Sequence, residues 1–82
     1  MMDYAVYEKY LKIYLQQAIR ESDGSNRGIA EALGTMRVGG LFTAHKEEKQ
    51  RALQDALHAF DAHRHWPREI ILSHLGVKLE QE

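Results

Sequence analysis

The stretch DYAVYEKYLKIYLQQAIRES, residues 3–22, decides the fold. It contains neither Gly nor Pro, and most of its residues are good helix formers. Asp3 reads as an N-cap, its carboxylate accepting from free amides of the first turn. Met2 and Tyr7 then stand where a hydrophobic staple places its two apolar groups. Ser22-Asp23-Gly24-Ser25-Asn26 is a stop and a loop. At about 100° per residue, Tyr4, Tyr7, Leu11, Tyr14, Leu15 and Ala18 share one face, with Lys9, Lys12, Gln16 and Arg20 on the far side. Val6 and Ile13 fall outside that stripe, beside Tyr10. The apolar surface is wider than one neighbour needs. Either the helix packs between two neighbours, or it offers a second face to another subunit.

Three further helices follow downstream. Residues 27–33 read as a short helix carrying Ile29, Ala30 and Leu33 inward, with Gly34 as its left-handed C-terminal cap. Thr35 to Phe42 includes the pair Gly39-Gly40, which costs roughly 1 kcal/mol per glycine in a helix interior, so a loop or broken turn is expected. A long helix runs over residues 44–65. Thr43 is its expected N-cap, and Glu47 and Glu48 are favoured near its start by the helix dipole. Its core stripe is Ala52, Leu53, Ala56, Leu57 and Phe60, rich in alanine, which allows a close helix neighbour. Pro67 suits the start of a last helix over residues 67–75, closed by Gly76 and burying Ile70, Ile71 and Leu75. Val77 and Leu79 trail after it as candidates to close the core. No alternating strand pattern of useful length occurs. The expected architecture is one all-α domain over residues 1–82, a small bundle of three to four helices.

Composition narrows function without naming it. The 82 residues carry 11 Lys+Arg against 12 Asp+Glu, a formal charge of −1, which excludes a strongly basic nucleic-acid clamp. Cysteine is absent, so there is no disulfide framework, thiolate nucleophile or Cys-based zinc site. No run approaches the ~18 apolar residues of a membrane span. Met1-Met2-Asp3-Tyr4 shows no signal-peptide pattern, so a cytoplasmic location and no membrane partner are expected. No nucleophile elbow, phosphate loop or paired-carboxylate motif is present, and 82 residues leave little room for a concave pocket of ~300 Å³ with a supporting shell. A non-enzymatic protein with no cofactor and no small-molecule substrate is therefore expected.

Four groups of residues remain as candidate sites. All four tyrosines lie in the first 14 residues. Tyr is enriched at interfaces because its ring buries while its hydroxyl stays wet. Tyr7 and Tyr14 also read as core, whereas Tyr10, with Val6 and Ile13 beside it, reads as a protein-contact surface. On the third helix, His58, Asp61 and His65 stand at i, i+3 and i+7, with Asp55 one turn before His58, and form a metal candidate. The two imidazoles are on the order of 10 Å apart along the axis, so the same residues also read as a solvated polar face. His63, Arg64, His65 and Arg68 surround Trp66. That set reads either as a nucleic-acid contact or as a helix–Pro–helix corner whose last turn carries cations.

The fourth group is Asn26-Arg27-Gly28-Ile29-Ala30-Glu31-Ala32-Leu33-Gly34-Thr35-Met36-Arg37. It resembles the first helix and turn of a helix-turn-helix, with small Ala30 where the second helix crosses and Gly34 where the turn is left-handed. The resemblance implies that Thr35, Met36 and Arg37 open a recognition helix. Arg37 and Thr35 would then reach DNA, and Arg27 the flanking backbone. An ordinary short helix with a glycine cap uses the same residues. Two functions follow: a regulatory protein acting through protein contacts and associating with itself through Val6, Tyr10 and Ile13, or a DNA-binding regulator built on residues 26–41.

Overall fold

A computed structural model describes residues 1–39 and 43–79. Among these residues there are four α-helices and no strand: α1 (Tyr4–Glu21), α2 (Asn26–Thr35), α3 (Lys46–Ala62) and α4 (Arg68–His74). The all-α bundle expected from periodicity is the fold. α1, α2 and α3 pack against one another pairwise, with α1 against α3 the most extensive seam. No described helix is long and apolar enough to cross a membrane.

α1 begins where its cap places it. Asp3 accepts from the backbone N–H of Ala5 at 3.0 Å and of Val6 at 3.4 Å. Its own N–H donates to Glu48 Oε2 at 2.7 Å, which ties the start of α1 to the start of α3. Glu48 is thus buried, and that backbone donor holds its carboxyl below the usual value. Ser25 caps α2 by accepting from Gly28 N–H at 3.0 Å. A Cβ at Gly28 would collide with the Asp23 carboxylate, which the Ser25 N–H and hydroxyl hold in place and pull below its ordinary pKa.

The core is Leu11, Leu15 and Ala18 of α1, Ile29 and Leu33 of α2, and Ala52, Ala56, Ala59 and Phe60 of α3, closed by Ile71 and Val77. Alanine at three consecutive inward positions of α3 lets α1 and α2 approach it closely, with Phe60 filling the space beyond.

Several expectations are corrected. Tyr4, at the frayed start of its face, is 71 % exposed. Leu53 and Leu57 are half-buried, flanking the alanine stripe. Ile70 is 52 % exposed while Ile71 is fully buried, because the two-turn α4 docks by one narrow edge. Gly34 does not leave the helix: α2 continues through it to Thr35, and the chain turns only at Met36 (φ −74°, ψ 149°). α3 starts at Lys46, not at residue 44, and Thr43 does not cap it. The chain enters α3 through His45 in the left-handed region (φ 57°), without a side-chain cap. The far end is also shorter: His63 has left helical geometry and α3 stops at Ala62. Gly76 does terminate α4 as expected, with φ +75°. Its N–H donates to the Ser73 carbonyl and that of Val77 to the Leu72 carbonyl, both at 2.9 Å, a Schellman closure that turns Val77 into the core.

Candidate functional site

A minority of the polar contacts in the described residues join separate helices, and the others are local to one helix, cap or turn. The Tyr7 hydroxyl donates to Asp55 Oδ2 at 2.6 Å, and Arg51 Nε stands 3.3 Å from the same carboxylate. Burial, reinforced by that carboxylate, pushes the Tyr7 phenol up to about 12. Burial also raises Tyr14. Tyr10 tilts against Tyr14 at 6.0 Å, with the Lys49 ammonium 4.9 Å from its ring centre. Tyr10 is therefore half-buried on the α3 side of α1, Val6 is half-buried, and Ile13 is 38 % exposed.

The residues of the helix-turn-helix resemblance are tied into α2. Arg27 Nε pairs with Glu31 at 3.4 Å on the helix surface. The Thr35 hydroxyl donates to the Ala32 carbonyl at 2.8 Å. Arg37 Nη1 donates to the Met36 carbonyl at 3.1 Å and to the Gly34 carbonyl at 3.4 Å, where the C-terminal end of a helix favours a cation. Met36 to Gly39 are not helical, so the recognition helix expected to open at Thr35 is absent from them; residues 40–42 of that expectation lie outside the described residues. With Gly34 helical, the tight left-handed turn that the motif needs does not form.

His58 and Asp61 are exposed on α3, but the helix ends before His65, which sits in the following turn and no longer shares their face. Asp55 is engaged by Tyr7 and Arg51. Among the described residues no three His, Asp or Glu side chains gather into a metal-ligand set.

The α3–α4 corner is a constructed joint. The His63 imidazole stacks on the Trp66 indole at 3.9 Å and 9°, and His74 meets both rings edge-on at 5.1 and 5.7 Å. The Asn26 amide donates to the Trp66 carbonyl at 2.6 Å and the Arg64 carbonyl at 3.1 Å. Arg68 Nη1 reaches the Gly24 carbonyl at 3.4 Å. These bonds fasten the corner to the start of α2 and hold α4 at a distance from α1.

That separation leaves an open groove of about 930 Å³ between the second half of α1 and α4 with its tail. A concave surface of this size was not expected of so short a chain. Its apolar floor is Ile19, Leu72, Val77 and Leu79, half-buried or buried. Arg20, Arg68, Lys78 and Glu69 stand around that floor. A shallower depression of about 460 Å³ continues it along the outer side of α1, with Ile13 and Ala5 below Glu8, Lys9 and Lys12. Gln16 and Lys78 belong to both. The groove holds no histidine and no nucleophilic pair; Ser73 is its one hydroxyl. Lys9, Lys12, Gln16 and Arg20 read in the sequence as a plain solvated face. Only the placement of α4 makes them one side of a groove.

Compared with protein-family models, with curated proteins and with solved structures, the chain matches none.

Proposed function

We infer that this protein is a small interaction module that acts by holding another polypeptide against the α1–α4 face. The observation that carries the reading is the groove itself. An apolar floor of half-buried side chains lies between two helices, and the depression beside it along α1 includes the exposed Ile13. A concave surface lined by apolar and charged side chains is one that a partner can fill. Its lining has no catalytic pair, which favours contact over reaction.

Ile13 belongs to this face, so the contact surface expected from the sequence overlaps it in part. The test is position-specific. A photo-crosslinking residue is placed at Ile13 or at Ser73, both on the face, or at Asp61 on exposed α3 as control, in cells that make the protein. Discrete adducts of defined mass from positions 13 and 73, and none from 61, support the module. Adducts from all three positions alike, or from none, overturn it.

A further inference from the structure

We propose that the occupant of the α1–α4 groove is an acidic amphipathic helix of a partner protein, about four turns long. This inference rests on the interaction-module reading and supplies the chemistry of its partner.

Charge argues first. Among the described residues the groove and its continuation are lined by five cations, Lys9, Lys12, Arg20, Arg68 and Lys78, against two carboxylates, Glu8 and Glu69. The described lining therefore carries an excess of three positive charges within a chain whose total is −1. So uneven a distribution in a near-neutral chain steers and selects partners of opposite sign. It also disfavours a symmetric homodimer built on this face, because a two-fold axis places each cation patch against its own copy.

Backbone chemistry argues second. An extended peptide needs either a free sheet edge for its N–H and C=O groups or, in the polyproline form, an aromatic-lined groove, and the described lining holds no aromatic residue. The groove is walled by helices, and among the described residues there is no strand. An extended chain would press unpaired amides onto Ile19, Leu72 and Leu79. A helix satisfies its own backbone and presents only side chains.

Dimensions argue third. From Ala5 to Arg20 the lining residues of α1 run about 22 Å at 1.5 Å per residue, so a helix of about fifteen residues lies alongside. It would sit between α1 and α4 and give α1 the neighbour it lacks on that side. Apolar residues repeating at three- and four-residue intervals would meet Ile13, Ile19 and Leu72. Flanking Asp and Glu would meet Lys9, Lys12, Arg20 and Lys78. The apolar floor weighs against nucleic acid, whose phosphates gain nothing from it. The concavity weighs against a flat lipid surface.

The experiment uses the full chain and a fluorescent synthetic helix of about fifteen residues with a leucine stripe and glutamate flanks. A second peptide has the same stripe with lysine flanks. Fluorescence anisotropy should give a Kd on the order of 10 µM for the glutamate peptide, and binding at least roughly tenfold weaker for the lysine peptide. The triple variant Lys12→Glu/Arg20→Glu/Lys78→Glu should lose at least roughly tenfold in affinity with its melting curve unchanged, since all three side chains stand at the groove edge rather than in the core. Equal binding of both peptides, binding of neither, or tighter binding to phosphatidylglycerol vesicles or to a DNA duplex overturns the proposal. If the crosslinks at positions 13 and 73 persist while the glutamate peptide fails, the acidic-helix proposal falls and the module stands. If those crosslinks are absent, the module itself has failed.

Discussion

Ile70 and Ile71 are neighbours in the chain and identical in composition, so replacing each by alanine isolates the effect of tertiary position. Ile71 is fully buried and Ile70 is 52 % exposed. Ile→Ala removes three carbons. At about 0.8 kcal/mol per buried methylene, the transfer part of Ile71→Ala is about 2.4 kcal/mol. A cavity at a fully enclosed position raises the cost to about 3–4 kcal/mol. At Ile70 half the side chain is already wet, which reduces transfer to about 1.2 kcal/mol, and solvent fills the space left. Alanine is also the better helix former by a few tenths of a kcal/mol, so Ile70→Ala should cost about 0.5–1 kcal/mol. A domain of this length has on the order of 4–12 kcal/mol of stability to lose. Urea unfolding followed by far-UV circular dichroism reads the difference directly. With a slope near 1 kcal/mol per molar, the two variants should differ in midpoint by about 2 M or more. Equal midpoints, or a larger loss at Ile70, would mean that α4 docks by another edge. The groove it forms with α1 would then be drawn wrongly.

Gly34 lies inside α2 with open space where a Cβ would go, so Gly34→Ala should raise stability by about 0.5–1 kcal/mol in the same assay; a loss would restore the left-handed turn of a helix-turn-helix. Gly76 has φ +75°, and Gly76→Ala should cost about 1–2 kcal/mol although nothing crowds the position; a neutral result would refute the Schellman closure. Phe60→Ala removes the largest fully buried side chain among the described residues and should cost about 3–5 kcal/mol, bringing the domain near unfolding; a melting temperature that hardly moves would place α3 facing the wrong way. Because the Tyr7 phenol is raised to about 12 in the folded state, its stabilisation is complete below its unfolded value of 10.0 and is lost as pH rises from there to about 12. The two-unit shift bounds the effect at about 2.7 kcal/mol, and solvent screening of the half-exposed pair reduces it to about 1 kcal/mol. Urea unfolding of wild type and Tyr7→Phe side by side should show their stability difference shrinking over that range, and a pH-independent difference would contradict it.

Local chemistry is legible in the chain wherever neighbours in sequence are neighbours in space. Asp3 caps α1 through amides two and three residues ahead. Leu11, Leu15 and Ala18 are buried together because the helical repeat puts them on one side. Gly76 ends α4 because only its own φ is at issue. Even so, Gly34 shows the limit. A glycine near a helix end is either a cap or one more helical residue, and α2 takes the second course with Met36 as its C-cap. His65 shows the same limit at the end of α3, where a three-residue error in the boundary removes it from the face of His58 and Asp61.

The sequence by itself determined an all-α chain of three to four helices and the centre of the inward stripes, Leu11, Leu15, Ala18, Ile29, Leu33, Ala52, Ala56 and Phe60, because these follow from periodicity and capping over a few residues. Tertiary structure alone decided which surface is left open. Arg20 and Lys78 are 58 positions apart in the chain, and Ile19 and Leu72 are 53 apart. They line one groove because Asn26 and the His63–Trp66 stack fix the α3–α4 corner and so set α4 away from α1. No pattern of spacing encodes such a meeting. It depends on the angle at which one short helix leaves a turn, and contacts distant in sequence set that angle.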